Sequence, residues 1–209
     1  MLTNEWDNNG TIELDAGRLY LYGDRATSNI NQSTFVRGAG SNVYLAGSLD
    51  NTGDTLSEVG TLDFIGGSVT GGTSVVDFNA SSNTTEFADG VILDADLNLT
   101  GAGDHFEIRN GLTLNGTANL SGSSATLDFA GTQTLGASSG QTATVDMTPF
   151  NAQLRVLDGG TLTLDSSVVV SGEGYVTGYG AGNTVVNEGL IHADHGSGYL
   201  RVTLSLIHI

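Results

Sequence analysis

One ten-residue frame occurs twice in this chain. "NNGTIELDAG", residues 8 to 17, and "NEGLIHADHG", residues 187 to 196, agree at Asn8/Asn187, Gly10/Gly189, Ile12/Ile191, Asp15/Asp194 and Gly17/Gly196. The later copy sets two histidines around an aspartate, as a metal site would, and the earlier copy has no histidine. A frame that persists while its would-be ligands vary is architecture. Longer matches follow: "TLDFIGGSVTG" from Thr61 returns as "TLDFAGTQTLG" from Thr126, a shift of 65 residues. "LAGSLDNTG" from Leu45 lies over "LNGTANLSG" from Leu114 at a shift of 69, and "LDADLNLTG" from Leu93 over "LDSSVVVSG" from Leu164 at 71. Together they read as an internal duplication of residues 43–111 and 112–178. A unit of about 70 residues divides into three coils of about 23, the scale of a repeating supersecondary unit.

The local pattern predicts strands and no helix. In "GGTLTLDSS", Leu162 and Leu164 alternate with Thr161 and Thr163; in "DHFEIRNG", Phe106 and Ile108 alternate with His105, Glu107 and Arg109. Period-two alternation sends one set inward and the other outward. Each run is short and stops at Gly, Asn or Asp, which tolerate the backbone angles of sharp corners. Asn-Gly and Asp-Gly pairs begin at Asn9, Asp89, Asn110, Asn115 and Asp158. Such pairs also make hairpins, but here they recur inside the long repeat. The one proline, Pro149, is expected in a loop, because a strand paired on both sides cannot give up its N–H. The expected fold is therefore all-β: a right-handed, single-stranded parallel β-helix of about nine coils.

Charge narrows the partners. Twenty-three acids stand against six arginines and no lysine, giving a net charge of −17. That field repels phosphate backbones and anionic lipid, so nucleic acid is excluded as a partner. The apolar runs are too short to cross a bilayer, which needs about 18 residues or more, so no membrane insertion is expected. Cysteine is absent, so disulfides play no part. The start, "MLTNEWDNNG", carries no secretory signal, and "LSLIHI", Leu204 to Ile209, reads back through the codon table as a sequencing adapter. The expectation is a solenoid over 1–203 cut from a larger protein, with 204–209 outside the fold.

Four places invite chemistry. His192 and His195 flank Asp194, but residues three apart on a strand face opposite ways, so a solvated corner is expected. Asp94 and Asp96, two apart, share a face if the chain is extended there, and form a weak candidate for calcium. The repeat partner of Asp94 is Asp165 and that of Asp96 is Ser167, which favours a corner carboxylate bonding its own backbone. His105, Glu107 and Arg109 place a base, an acid and a cation on one outer face. A catalytic reading groups Asp94, Asp104, Glu107 and Arg109, and needs Arg109 or Arg155 to face several carboxylates. The alternative at each place is an ordinary solvated ion pair.

At this point "NEGLIHAD…GYLRV", its twin "NNGTIELDAGRLYLY", and "GGTLTLDSSVVVSGEGYVTG" carry a likeness. They resemble the degenerate repeats of bacterial secreted β-helix proteins, in particular autotransporter passengers and filamentous-haemagglutinin-type adhesins. The resemblance implies an extracellular, surface-displayed structural and adhesive stalk without catalysis or a resident cofactor. Its implied partners are a host or neighbouring-cell surface, glycans or matrix. The competing expectation is a carbohydrate-active β-helix of the pectin-lyase-like kind, a polysaccharide lyase or hydrolase. An ice- or mineral-binding solenoid wants a regular Thr-x-Thr array, and only "TLTL" and "TAT" come close.

Overall fold

The structure, a computed structural model, describes residues 8, 10–30, 35–57, 59–196, 198–203 and the backbone of 205–208. Every pairing between its strands is parallel, with one isolated antiparallel bridge at Ser81 and His105, and the strands sort by turns into three walls. The first wall runs from Gly17–Leu21 through Ser41–Leu45, Leu62–Phe64, Phe78–Asn79, Leu97–Leu99, Thr117–Leu120, Ala143–Met147 and Val168–Gly172 to Leu190–His192. The second runs from Arg25–Ala26 to Leu200–Val202 and includes Thr85–Ala88, His105–Arg109, Thr126–Ala130, Gln153–Leu157 and Gly174–Gly178. The third runs from Thr55–Leu56 to Ser205–His208, and a separate pair, Ile12–Leu14 on Phe35–Arg37, precedes it. One short 3-10 turn, Thr27–Ile30, is the only helix among the described residues.

This is a parallel β-solenoid. The inward column of the first wall steps from Leu19 through Val43, Leu62, Phe78, Leu97, Ala118, Val145 and Val170 to Ile191. Eight steps cover those residues, about 22 per turn. Turn length varies widely about this mean. Leu62 to Phe78 is a step of 16 residues, and Ala118 to Val145 a step of 27. Nine strands about 4.8 Å apart make a rod of about 40 Å.

Alternation builds the interior as the sequence predicts. Leu162 and Leu164 are buried between half-buried Thr161 and Thr163, and Phe106 and Ile108 are fully buried. At mid-rod Phe64, Phe78, Phe87 and Phe106 meet with ring centroids 4.6 to 6.2 Å apart, in mostly edge-to-face pairs. Edge-to-face packing suits the ring quadrupoles, on top of the area the rings bury.

The Asn-Gly and Asp-Gly pairs make corners. Asp89, Asn110 and Asp158 each have φ between 57° and 60°, and each is followed by a glycine also at positive φ. All three sit where the chain passes from second wall to third, turning it without reversing it. Two of these corners are tied together, since Asn110 Nδ2 donates to Asp89 Oδ1 at 2.7 Å. Nearby, Gln133 donates from Nε2 to the Ile108 and Ala130 carbonyls and accepts the Gly111 N–H. Asn9 lies outside the described residues. Asn115 belongs to a third-to-first corner, and Pro149 lies between the strands Ala143–Met147 and Gln153–Leu157, where no ladder N–H is lost.

The repeated peptides take different walls. "TLDF" from Thr61 supplies a first-wall strand and "TLDF" from Thr126 a second-wall strand. Ile12 belongs to the pair preceding the third wall and Ile191 to the first wall. Leu93 and Leu164 do share the third wall. What recurs is therefore a strand-plus-corner peptide that serves on any face. The backbone of Ser205–His208 pairs with Thr184–Asn187. An open ladder edge offers unpaired N–H and C=O groups that a β-prone segment satisfies.

Candidate functional site on the second wall

The outer faces differ in what the register stacks on them. On the first wall, Asp63, Asn79, Asn98 and Asn119 form one column. Its amides donate down the rod: Asn79 to Asp63 at 2.6 Å, Asn98 to Asn79 at 3.2 Å, and Asn119 to Asn98 at 2.8 Å. An amide ladder satisfies itself between coils and stiffens the wall.

The second wall concentrates charge. Its central outward column reads Ser48, Ser68, Glu86, Glu107, Asp128, Arg155, Thr177. Three carboxylates on successive coils, about 4.8 Å apart along the rod, repel one another unless cations intervene. Arg109 intervenes on one side, with Nη2 on Glu107 Oε1 and Nε 3.3 Å from Glu86 Oε2. Arg155 closes the column, donating from Nε and Nη2 to the two oxygens of Asp128 at 2.6 Å each. His105 Nε2 lies 2.7 Å from the same Asp128 Oδ2. This is a fork-on-carboxylate geometry, stronger than a neutral hydrogen bond.

Burial separates the two central acids. Asp128 is only 1% exposed and Glu107 8%. On the Asp128 strand the outward neighbours are Thr126 and Ala130, short enough for His105 and Arg155 to close over the carboxylate from adjacent coils. Burial alone would push Asp128 up, but hydrogen bonds from His105 and Arg155 hold it below the usual carboxylate range, and Arg155 is raised in return. Glu107 moves the other way, because burial outweighs the attraction of Arg109, with Asp128 and Glu86 adding repulsion. Adjacent carboxyls pushed apart in this way are the raw material of acid–base chemistry.

The sequence candidates are brought together only in part. His105, Glu107 and Arg109 share the outer face as expected: Glu107 is buried against exposed Arg109 on its own strand, while Arg109 also reaches Glu86 and His105 reaches Asp128 on neighbouring coils. Asp94 and Asp104 do not join them. Asp104 sits at a first-to-second corner, where its Oδ2 accepts the Gly101 N–H at 2.6 Å. Asp94 and Asp96 are not on a strand: the chain bends at 94–95, between Val91–Leu93 and Leu97–Leu99. Asp94 takes the amide of Asn115, and Asp96 Oδ1 accepts the Thr117 N–H at 2.7 Å, so their shared-face expectation is corrected by the corner. Asp165 behaves as the repeat suggested: its Oδ1 accepts from the Ser167 N–H and hydroxyl, and those bonds lower its pKa. His195 Nδ1 is 3.2 Å from Asp194 Oδ1 at an exposed corner. Among the described residues no three His, Asp or Glu side chains converge as a metal ion requires.

Sequence reading missed Glu86 and Asp128. The available signal was the Asp of the repeated "TLDF" and its opposite-charge counterpart in "LRVL", but pairing them requires the length of the intervening coil. Aromatic side chains are also unevenly placed. Tyr20 and Tyr44 stack on the first wall with centroids 4.9 Å apart, while Tyr175, Tyr179 and Tyr199 gather at the far end of the second. Among the described residues no helix is long and apolar enough to cross a membrane. No protein family, curated protein or solved structure matches the chain.

Proposed function

We propose that this chain is a length of structural and adhesive stalk from an exported bacterial surface protein, a rod whose walls make weak multivalent contacts with a host or neighbouring-cell surface, glycans or matrix. One observation carries the reading: three uninterrupted parallel ladders enclose an apolar interior, and the candidate carboxylates are tied into the walls as corner caps and cross-coil pairs. Side chains spent in this way are building material. A rod repeats its surface every few ångströms, so many weak contacts add through effective concentration. The acidic surface keeps such rods apart and disfavours nucleic acid. The test is adhesion of the purified chain to immobilised polysaccharides and matrix proteins, measured with native and heat-unfolded protein. Binding that needs the folded rod and releases no sugar products supports the stalk.

A second reading, a carbohydrate-active β-helix, is favoured by one specific observation, the oppositely shifted Glu107 and Asp128 on adjacent coils beside His105, Arg109 and Arg155. Against it, Asp128 is closed over by its partners, and a catalytic carboxyl must reach substrate. Release of unsaturated or reducing sugar ends by purified protein, lost in Glu107→Gln, would establish this reading and displace the stalk.

A further inference from the structure

The last coils of the second wall carry an exposed strip of aromatic rings set against guanidinium groups. Tyr175 and Thr177 face outward on Gly174–Gly178, with Tyr179 one residue past its end. Tyr179 is 70% exposed and Tyr199 40%. The Arg155 guanidinium carbon lies 5.2 Å from the Tyr179 ring centre, and that of Arg201 4.4 Å from the Tyr199 ring centre. Tyr175 and Tyr199 meet edge to face, their hydroxyls 3.3 Å apart. From Tyr175 to Tyr179 is four residues of nearly extended chain, about 13 Å. These rings are held in place by neighbours, so less side-chain entropy is lost when something covers them.

Rigid rings flanked by hydrogen-bond donors suit a pyranose, which offers an apolar C–H face and a rim of hydroxyls. Tyrosine meets both needs, with a flat apolar body and a polar tip. Arg155 spends Nε and Nη2 on Asp128, leaving Nη1 outside that pair. Thr177 and the tyrosine hydroxyls add further donors and acceptors.

The charge pattern chooses between sugars. A net charge of −17 repels a polyanion. On this wall Arg109 pairs with Glu86 and Glu107 and Arg155 with Asp128, and Arg201 of the strip offsets the one acid left over, so the strip carries little field of its own. We propose that Tyr175, Tyr179 and Tyr199, with Arg155 and Arg201, form a binding site for a neutral polysaccharide strand. This rests on the adhesive reading above and supplies its ligand class.

The experiment is electrophoresis of the folded chain through native gels containing hydroxyethylcellulose, xyloglucan, dextran or polygalacturonate. At least one neutral polymer retards the wild type, and Tyr179→Ala combined with Tyr199→Ala weakens that retardation about tenfold with an unchanged melting curve. No retardation by any neutral polymer, stronger retardation by polygalacturonate, or retardation that survives the double substitution overturns the strip. A dimer in sedimentation that the double substitution abolishes also overturns it, in favour of a self-association patch. If no neutral polymer retards the chain while the folded rod still adheres to matrix proteins, the site is lost and the stalk reading stands, so the two fail separately.

Discussion

Arg155 holds both oxygens of Asp128 from one coil away, at 2.6 Å each, and the carboxylate between them is almost wholly buried. Removing one partner strands the other. Asp128→Asn is expected to destabilise the rod at neutral pH by about 3 kcal/mol, the usual cost of breaking a buried pair from one side. The sign with pH follows from the lowered pKa. A carboxyl depressed in the folded state contributes stability that is present above its unfolded pKa and lost as pH falls through its folded one. Denaturant unfolding of wild type and variant should therefore converge below the ordinary carboxylate range. A constant gap at all pH values would contradict the ion-pair account.

Glu107 should behave in the opposite sense. Its folded pKa is raised, chiefly by burial, so its charged form is disfavoured and the wild type gives up stability as pH rises through that raised value. Glu107→Gln removes the buried charge while Arg109 keeps Glu86 at 3.3 Å. The expected change at neutral pH is within about 1 kcal/mol and neutral to stabilising. A loss of several kcal/mol in the same unfolding assay would show that Arg109 depends on Glu107 far more than the geometry implies.

Phe87 touches Phe64, Phe78 and Phe106 at mid-rod. Phe87→Ala is expected to cost about 3–5 kcal/mol, transfer and cavity together. In a solenoid each coil contacts only its neighbours, so the damage should be local. Hydrogen exchange is the measurement: protection should fall in the coils around residues 64 to 106 and persist at 143–172. Uniform loss along the chain would indicate a single cooperative unit.

Gly122 tests how closely the coils approach at their corners. A Cβ there would lie 2.0 Å from the Gly101 carbonyl oxygen of the preceding coil. Backbone cannot swing aside as a side chain can, so Gly122→Ala should force the two coils apart and cost about 2 kcal/mol. Thermal unfolding would register this as a fall of several degrees. An unchanged melting temperature would mean the corner has slack.

The fold was legible in the chain because its cause is local. Alternation at Leu162/Leu164 and Phe106/Ile108, and left-handed corners at Asp89, Asn110 and Asp158, are decided within a few residues. The site was not, because its cause is coil length. Asp128 meets Arg155 across 27 residues and His105 across 23, and these intervals differ from the 16-residue step at Leu62–Phe78. For the same reason Thr61 and Thr126 begin near-identical peptides on different walls. Asp94 and Asp96 turn on something more local: their shared face needed extended chain, and the bend at 94–95 is the corner that the Asp94/Asp165 match favoured.

Uneven coil length has a practical side. The longest first-wall step, Ala118 to Val145, and the turn after Met147 that holds Pro149 and sets the 58%-exposed Phe150 in solvent both leave the ladders unbroken. Register is kept by the strands on either side, so this turn can lengthen where the crowded corners, such as that at Gly122, cannot. The turn after Met147 is thus a ready graft point, where a foreign epitope or a small folded cargo can be spliced in and carried on the flank of the rod.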